Sequence, residues 1–580
     1  MRKTVLSMLV VALLLGTSGL GSALAGSTPD VKPVAVVSLA GYDALLGNVK
    51  LAGVLAGRPK LAKGLEGLLA VVTQGRGLEG LDTKRPWGVV IQADGAKLGG
   101  YAFLPVSDFE KFKEVVKPYI QKAEDLGGGL HKVQPVGPGQ AIYVKQTSGW
   151  LFVCNKAEGL AHTPDDPAQL LGGLPEQYDL AVRLNASNVP AEQREQLIAR
   201  IQRQAEKDLQ RRPGEDEPEY AIRKIVTGKI LAAVLTTVKD LETVTLGWSL
   251  DDEAQKVLLE LALTAKDGTK TAYTLAQLAQ AKTDFAGFRL PGAILTGSMT
   301  AVCPQPSAAD LDALFSALRT KAFADIDKRE SSAQKAKVGK EFVGGLLEVI
   351  QGTVASGRAD GGVSLLLSAD AGTLVAGRYI ADGQKLEETL NKLVDAARQE
   401  DPALVDQVLK RNVDEFQGVR FHSLSIPIPQ DARHRDRVVQ LVGENLEVVV
   451  GVGKQSVYLA AGKDALKTLK KAVEQSAAAA QQPAAPLELS LALGQLAKFL
   501  AEAGQGEQKQ RALKALEALK DAAAKDHVKL VAVPIERGLK LRLELEQGVL
   551  KIIQSIPKQP GKRLNAISKR DCRRIGLNRR

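Results

Sequence analysis

"GAKLGGYAFLPVSDFEKFKEVV", residues 95–116, decides how this chain is read. A strand-like run carries Leu98, Tyr101 and Phe103 and stops at Pro105. Ser107 and Glu110 then have the spacing of a capping box, in which hydroxyl and carboxylate each satisfy a free backbone N–H. Phe109, Phe112, Val115, Val116, Tyr119 and Ile120 recur at helical spacing and predict one apolar face. The unit is a strand, a stop and a helix.

The unit recurs at 368–394, "SADAGTLVAGRYIADGQKLEETLNKLV", where "ADAGTLVAGRYI" lies over "ADGAKLGGYAFL" without a gap. The order of elements around the two copies also agrees. In the first half "VAVVSLAGYDALLGNV" reads as strand and helix, and "WGVVIQADGAKLGGYAFL" as a hairpin before the capped helix. "AIYVKQTSGWLFVCN" is a second hairpin, "YDLAVRLN" a strand with helices after it, and "LETVTLGWSLDDEAQKVLLELALTA" a third hairpin. "AILTGSMTAVC", "VSLLLSADAGTLVAGRYI", "LEVVVGVGKQSVYLAAG", "LELSLALGQLAKFL" and "HVKLVAVPIERGLKLRLELEQ" repeat that order. Period-two alternation, as in "LKLRLELE", marks the strands, and tight turns imply antiparallel pairing.

The expected fold is therefore α+β: two similar modules, each a mainly antiparallel sheet with helices on one face. Expected boundaries are a signal peptide at 1–25, modules at 33–283 and 292–557, and a basic disordered tail at 558–580. "LQRRPGEDEPEY", 209–220, reads as an exposed helix–helix turn, and "EQSAAAAQQPAAP" as a low-complexity connector.

Arg2 and Lys3, the apolar "VLSMLVVALLL" and the small-x-small Ala23–Leu24–Ala25 form a signal-peptide pattern, predicting export and cleavage after Ala25. The net charge of +11 is concentrated at the ends: residues 558–580 carry +8 and the signal +2, leaving 26–557 at +1. The charge thus gives no general case for nucleic-acid binding. Its consequence is local. Lys562, Arg563, Lys569, Arg570, Arg573, Arg574, Arg579 and Arg580 form a candidate electrostatic tether to an anionic surface.

Aromatic residues make up 4% of the chain, too few for a surface tiled with rings. Among the cysteines, Cys154 and Cys303 end apolar runs and are expected to be small buried hydrophobes, with a bridge between them left open; Cys572 lies in the tail. The histidines, His131, His162, His422, His434 and His527, have no three- or four-residue spacing, and C-x-x-C and H-E-x-x-H are absent. "HRDR" at 434–437 lacks the Asn a kinase loop needs, since Leu441 holds that place. "GVGKQS" at 451–456 reads as a hairpin turn rather than a phosphate loop. No cofactor or metal is expected, and no catalytic residue stands out.

One segment, 427–445, has no counterpart in the first half. Its Arg433, His434, Arg435 and Arg437 form a candidate binding loop. In layout alone the chain resembles the broad class of uncharacterised exported bacterial proteins with duplicated α+β modules. That resemblance covers most of the chain after residue 25 and carries no catalytic residues. The leading expectation is an exported binding or scaffolding protein of the cell envelope, without enzymatic activity, for an unknown ligand or envelope partner. The alternatives are a carrier of an apolar ligand such as a lipid, and a hydrolase with a dispersed site.

Overall fold

A computed structural model describes residues 32–55, 60–94, 97–432, 435–480, 482–520 and 525–555. The signal pattern, Arg433, His434 and the basic tail lie outside the described residues. Strands of the first half are β1 (Pro33–Leu39), β2 (Trp87–Asp94), β3 (Lys97–Pro105), β4 (Ile120–Asp125), β5 (Leu130–Pro135), β6 (Ile142–Thr147), β7 (Trp150–Cys154), β8 (Leu180–Asn185), β9 (Leu241–Asp251) and β10 (Lys256–Ala265). The strands that follow are β11 (Lys282–Thr283), β12 (Leu295–Val302), β13 (Arg358–Leu367), β14 (Gly372–Tyr379), β15 (Leu409–Phe416), β16 (Val419–Pro427), β17 (Asn445–Gly453), β18 (Ser456–Gly462), β19 (Gln482–Pro483), β20 (Leu487–Ala492), β21 (His527–Ile535) and β22 (Gly538–Glu546), those from β12 onward lying in the second half.

Pairing is antiparallel throughout. The first half runs β4-β5-β6-β7-β3-β2-β1-β8-β9-β10 across the sheet. The second runs β15-β16-β17-β18-β14-β13-β12-β20-β21-β22, the same order strand for strand. The last strands of the two halves then pair with each other, from Lys256↔Glu546 to Thr264↔Gly538. The two sheets expected from the sequence are therefore one, a 20-stranded antiparallel sheet with its seam at β10/β22. Alternation made β10 and β22 recognisable as strands, but alternation does not name a partner. β11 and β19 form a separate short ribbon.

Helices lie on both faces of the sheet, not one. The face that carries Glu260 is covered in the first half by the short turns of 157–177, whose Leu160, Leu171 and Leu174 close over Val36, Val90, Tyr101 and Phe152. In the second half the helix Ala465–Ala478 and Phe285 and Phe288 cover it, meeting Val375, Phe421, Tyr458 and Ala460. Glycine lets this layer approach: a Cβ on Gly362 would lie 2.6 Å from Phe288. The opposite face, which carries Leu261, is covered at its flanks. Phe109 and Phe112 of the helix Phe109–Val116 pack there with Leu104, Leu151 and Val153. Leu346, Val349 and Leu386 of the helices Ala333–Ala355 and Gly383–Glu400 pack there with Val450, Val452 and Val457. Among the described residues no cluster of buried apolar side chains joins 33–283 to 292–557, although Phe285, Phe288 and Leu290 between them pack with the second half.

Local details correct the sequence reading. The helix after Pro105 is capped by Asp108, whose side chain accepts from Lys111 N, and not by Ser107. That helix stops at Val116, so Ile120 opens β4; Gly127, Gly128 and Gly129, all at positive φ, form the turn into β5. The connector after Glu474 is helical to Ala478. Cys154 is buried and Cys303 exposed, both free. β12 ends at Val302, which leaves Cys303 in the loop beyond the sheet. Lys454 and Gln455 are the turn between β17 and β18, as expected for "GVGKQS". Among the described residues no helix is long and apolar enough to cross a membrane.

Candidate functional site: the Leu261 face of the sheet

Directly opposed residues of an antiparallel pair point to the same face. From β8 to β20 one such row reads Leu180, Trp248, Leu259, Leu543, Leu530 and Leu489. The next row, Val182, Leu246, Leu261, Leu541, Ala532 and Leu487, is equally apolar. Both rows cross the seam without interruption. At about 4.8 Å per strand, six strands make a band roughly 24 Å long.

The other face of the same strands is polar. Its central row runs Ser38, Ala181, Gly247, Glu260, Arg542, Val531 and Glu488. Glu260 is 4% exposed and is held by Lys540 at 2.8 Å, by the donating Tyr178 hydroxyl at 2.7 Å and by Arg542. Burial alone would raise its carboxyl, but hydrogen bonds from Lys540, Tyr178 and Arg542 outweigh that and hold it below its ordinary value. Burial, then the bond to Glu260, raises the Tyr178 phenol.

The apolar band is not filled to the density of a packed core. Leu246 is 56% exposed, Leu180 41%, Leu261 40% and Leu489 40%, although neighbours on the opposite face, Ala181 and Ala262, are buried. A folded interior normally closes on such side chains, because each buried leucine is worth about 1.5–3 kcal/mol. The helices do not supply that closure. The helix Glu217–Asp240 spreads its apolar side chains around its circumference among charges such as Arg223, Lys224 and Lys229, and neither it nor Ala191–Asp208 contains a buried residue. Ile230, Val234 and Leu197 are themselves exposed.

This helical layer also bridges the halves. Glu217–Asp240 packs along Ala308–Arg329, which packs along Ala333–Ala355. Lys229 pairs with Asp310 at 2.6 Å, and Lys321 with Asp216 at 2.6 Å and Glu219 at 2.8 Å. Between the helices Ala191–Asp208 and Glu217–Asp240, Glu215 accepts from Arg223, which lowers its carboxyl pKa to about 2.

The predicted loop sits elsewhere. Arg435 and Arg437 lie on the short helix Arg435–Val442 between β16 and β17. Arg435 is engaged by Glu444, and Lys463 donates to the Gln440 carbonyl at 3.0 Å, fixing the helix to the end of the sheet. A groove of about 1,130 Å³ opens on the Glu260 face between β15–β17 and the helix Ala465–Ala478; Lys470 and Asp414, 2.6 Å apart, are among its lining residues. Sequence reasoning marked neither this groove nor the apolar band. The band's signal was present in the unbroken leucines of "LKLRLELE" and "KVLLELALTA", but exposure cannot be read from alternation. Comparisons with protein-family models, curated proteins and solved structures return no match.

Proposed function

We propose that the protein is an exported binding protein whose ligand is an elongated apolar molecule, such as a lipid, held between the Leu261 face and the helical layer. The observation that carries this reading is the uninterrupted, half-exposed leucine band that crosses the seam. Apolar contiguity on this scale signals a binding surface. A single acyl chain fills about 15 Å, half of a bilayer's ~30 Å hydrocarbon core, so the band is long enough for one chain with room beyond its end. Leu246→Glu supplies the test. Full-chain protein, stripped of lipid by organic extraction and refolded, is titrated with a fluorescent acyl probe. Wild type binds it and the Leu246→Glu variant loses at least tenfold in affinity. Failure of the wild type to bind, with no lipid seen in native mass spectra before extraction, overturns the reading.

The layout is proposed to be an internal duplication, 33–283 and 292–557, supported by the identical strand order of the halves. The basic tail from Lys562 to Arg580 is proposed to hold the carrier near anionic head groups, where such ligands are exchanged.

A further inference from the structure

At the open end of the β21/β22 hairpin, three side chains converge that the apolar reading does not use. His527 and Glu546 are directly opposed across the strands, flanking the pair Val528↔Leu545, and Asp526 precedes His527 in the chain. The His527 Nδ1 lies 3.2 Å from Asp526 Oδ1 and 3.2 Å from Glu546 Oε2. One ligand atom from each residue lies within 4.8 Å of the other two.

We propose that Asp526, His527 and Glu546 form a site for a divalent transition-metal ion of the zinc class. Imidazole plus carboxylate oxygen is a donor set that zinc accepts. Zinc bonds of about 2.0–2.1 Å in tetrahedral geometry set neighbouring ligand atoms roughly 3.3–3.4 Å apart, and the two nitrogen–oxygen separations are close to that edge. Three protein ligands leave a fourth position for water or a further donor.

Both carboxylates are held in place before any ion arrives. Gly494 N donates to Asp526 Oδ2 at 2.6 Å, and a Cβ at Gly494 would lie 2.1 Å from that oxygen, so a larger residue there would displace it. His527 N donates to Glu546 Oε2 at 2.9 Å. Such supporting bonds orient metal ligands. The two carboxylates also favour positive charge between them, and the bond to Glu546 raises the His527 imidazole above its ordinary value; an ion and a proton compete for one nitrogen. Lys529, 3.5 Å from Glu546 Oε1, is the cation that opposes the ion.

The matched place in the first half lacks this chemistry. Asp240 precedes β9 as Asp526 precedes β21, but its carboxylate is taken by Thr271 N and Oγ1, and the strand residues beside it are Leu241 and Ala265. The site belongs to one half.

Tag-free full-chain protein is titrated with Zn²⁺ by calorimetry and with Co²⁺ as a visible-absorption probe. The expected result is one equivalent bound, with the intense d–d bands of a tetrahedral cobalt site. His527→Gln and Glu546→Gln weaken binding at least tenfold, and Lys529→Gln tightens it severalfold. His162→Gln, an exposed control, changes nothing. Circular dichroism of each variant separates loss of fold from loss of ligand. Lack of stoichiometric binding by the wild type overturns the proposal, as does equal binding by wild type and a folded His527→Gln. If His527→Gln does not fold, a Lys529→Gln variant that binds no tighter than wild type overturns it instead. The acyl-probe experiment is independent of all of these outcomes.

Discussion

The two faces of the central sheet at the seam are made from the same strands and are stabilised in opposite ways. On one, Glu260 is buried and pinned by Tyr178, Lys540 and Arg542. On the other, Leu261 and Leu246, though apolar, remain 40% and 56% exposed. In a protein stabilised by its apolar face alone, the second side would be the better packed. The difference teaches that charge and main-chain pairing hold the seam on one face, while its apolar side stays half exposed.

The sharpest way to break this comparison is Glu260→Gln. Removing one member of a buried ion cluster leaves Lys540 and Arg542 undercompensated, and about 3–5 kcal/mol of stability should be lost in urea denaturation. Because the folded carboxyl lies below its ordinary 4.5, the advantage of wild type over the variant is full above that pH. It shrinks as pH falls through the depressed folded value. A difference unchanged from pH 7 to pH 3 would mean that the charge is irrelevant.

A second contrast sets packed against open leucines. Leu469, fully buried on the Glu260 face, should cost about 2–5 kcal/mol as Leu469→Ala. Leu261→Ala should cost about 1 kcal/mol or less, since much of that side chain already meets solvent. Equal losses would show that the band is a closed core. The smallest expected effect is that of the helical bridge. Lys321→Ala breaks its pairs with Asp216 and Glu219 but should leave the urea midpoint almost unchanged, because those acids are well exposed.

Much of the strand order was legible because hairpins are local. "VSLLLSADAGTLVAGRYI" and "WGVVIQADGAKLGGYAFL" reveal β13/β14 and β2/β3 by alternation broken at polar turns. The β4/β5 hairpin was hidden by Tyr119 and Ile120, which continue the helical spacing of Phe112 and Val116 by coincidence. β15/β16 was hidden by the charges of "LKRNVDEF" and turns at Gln417–Gly418, both at positive φ. The β10/β22 seam joins residues such as Glu260 and Arg542 that lie far apart in the chain, and nothing local announces their pairing. The Asp526–His527–Glu546 group escaped for a related reason. Its donors face each other across a hairpin, whereas histidine spacing finds only ligands on one helix.

Because β10 and β22 occupy each other, the only strands of the main sheet with a free side among the described residues are β4 and β15. β4 carries Lys122, Glu124 and Asp125, mostly exposed, and β15 carries Lys410, Arg411, Asp414 and Glu415 with a break in its register. Charged, irregular margins of this kind resist the edge-to-edge addition from which fibrils grow. A chain with so much uncovered leucine is thereby protected against aggregation at the two places where another β-strand could most easily attach.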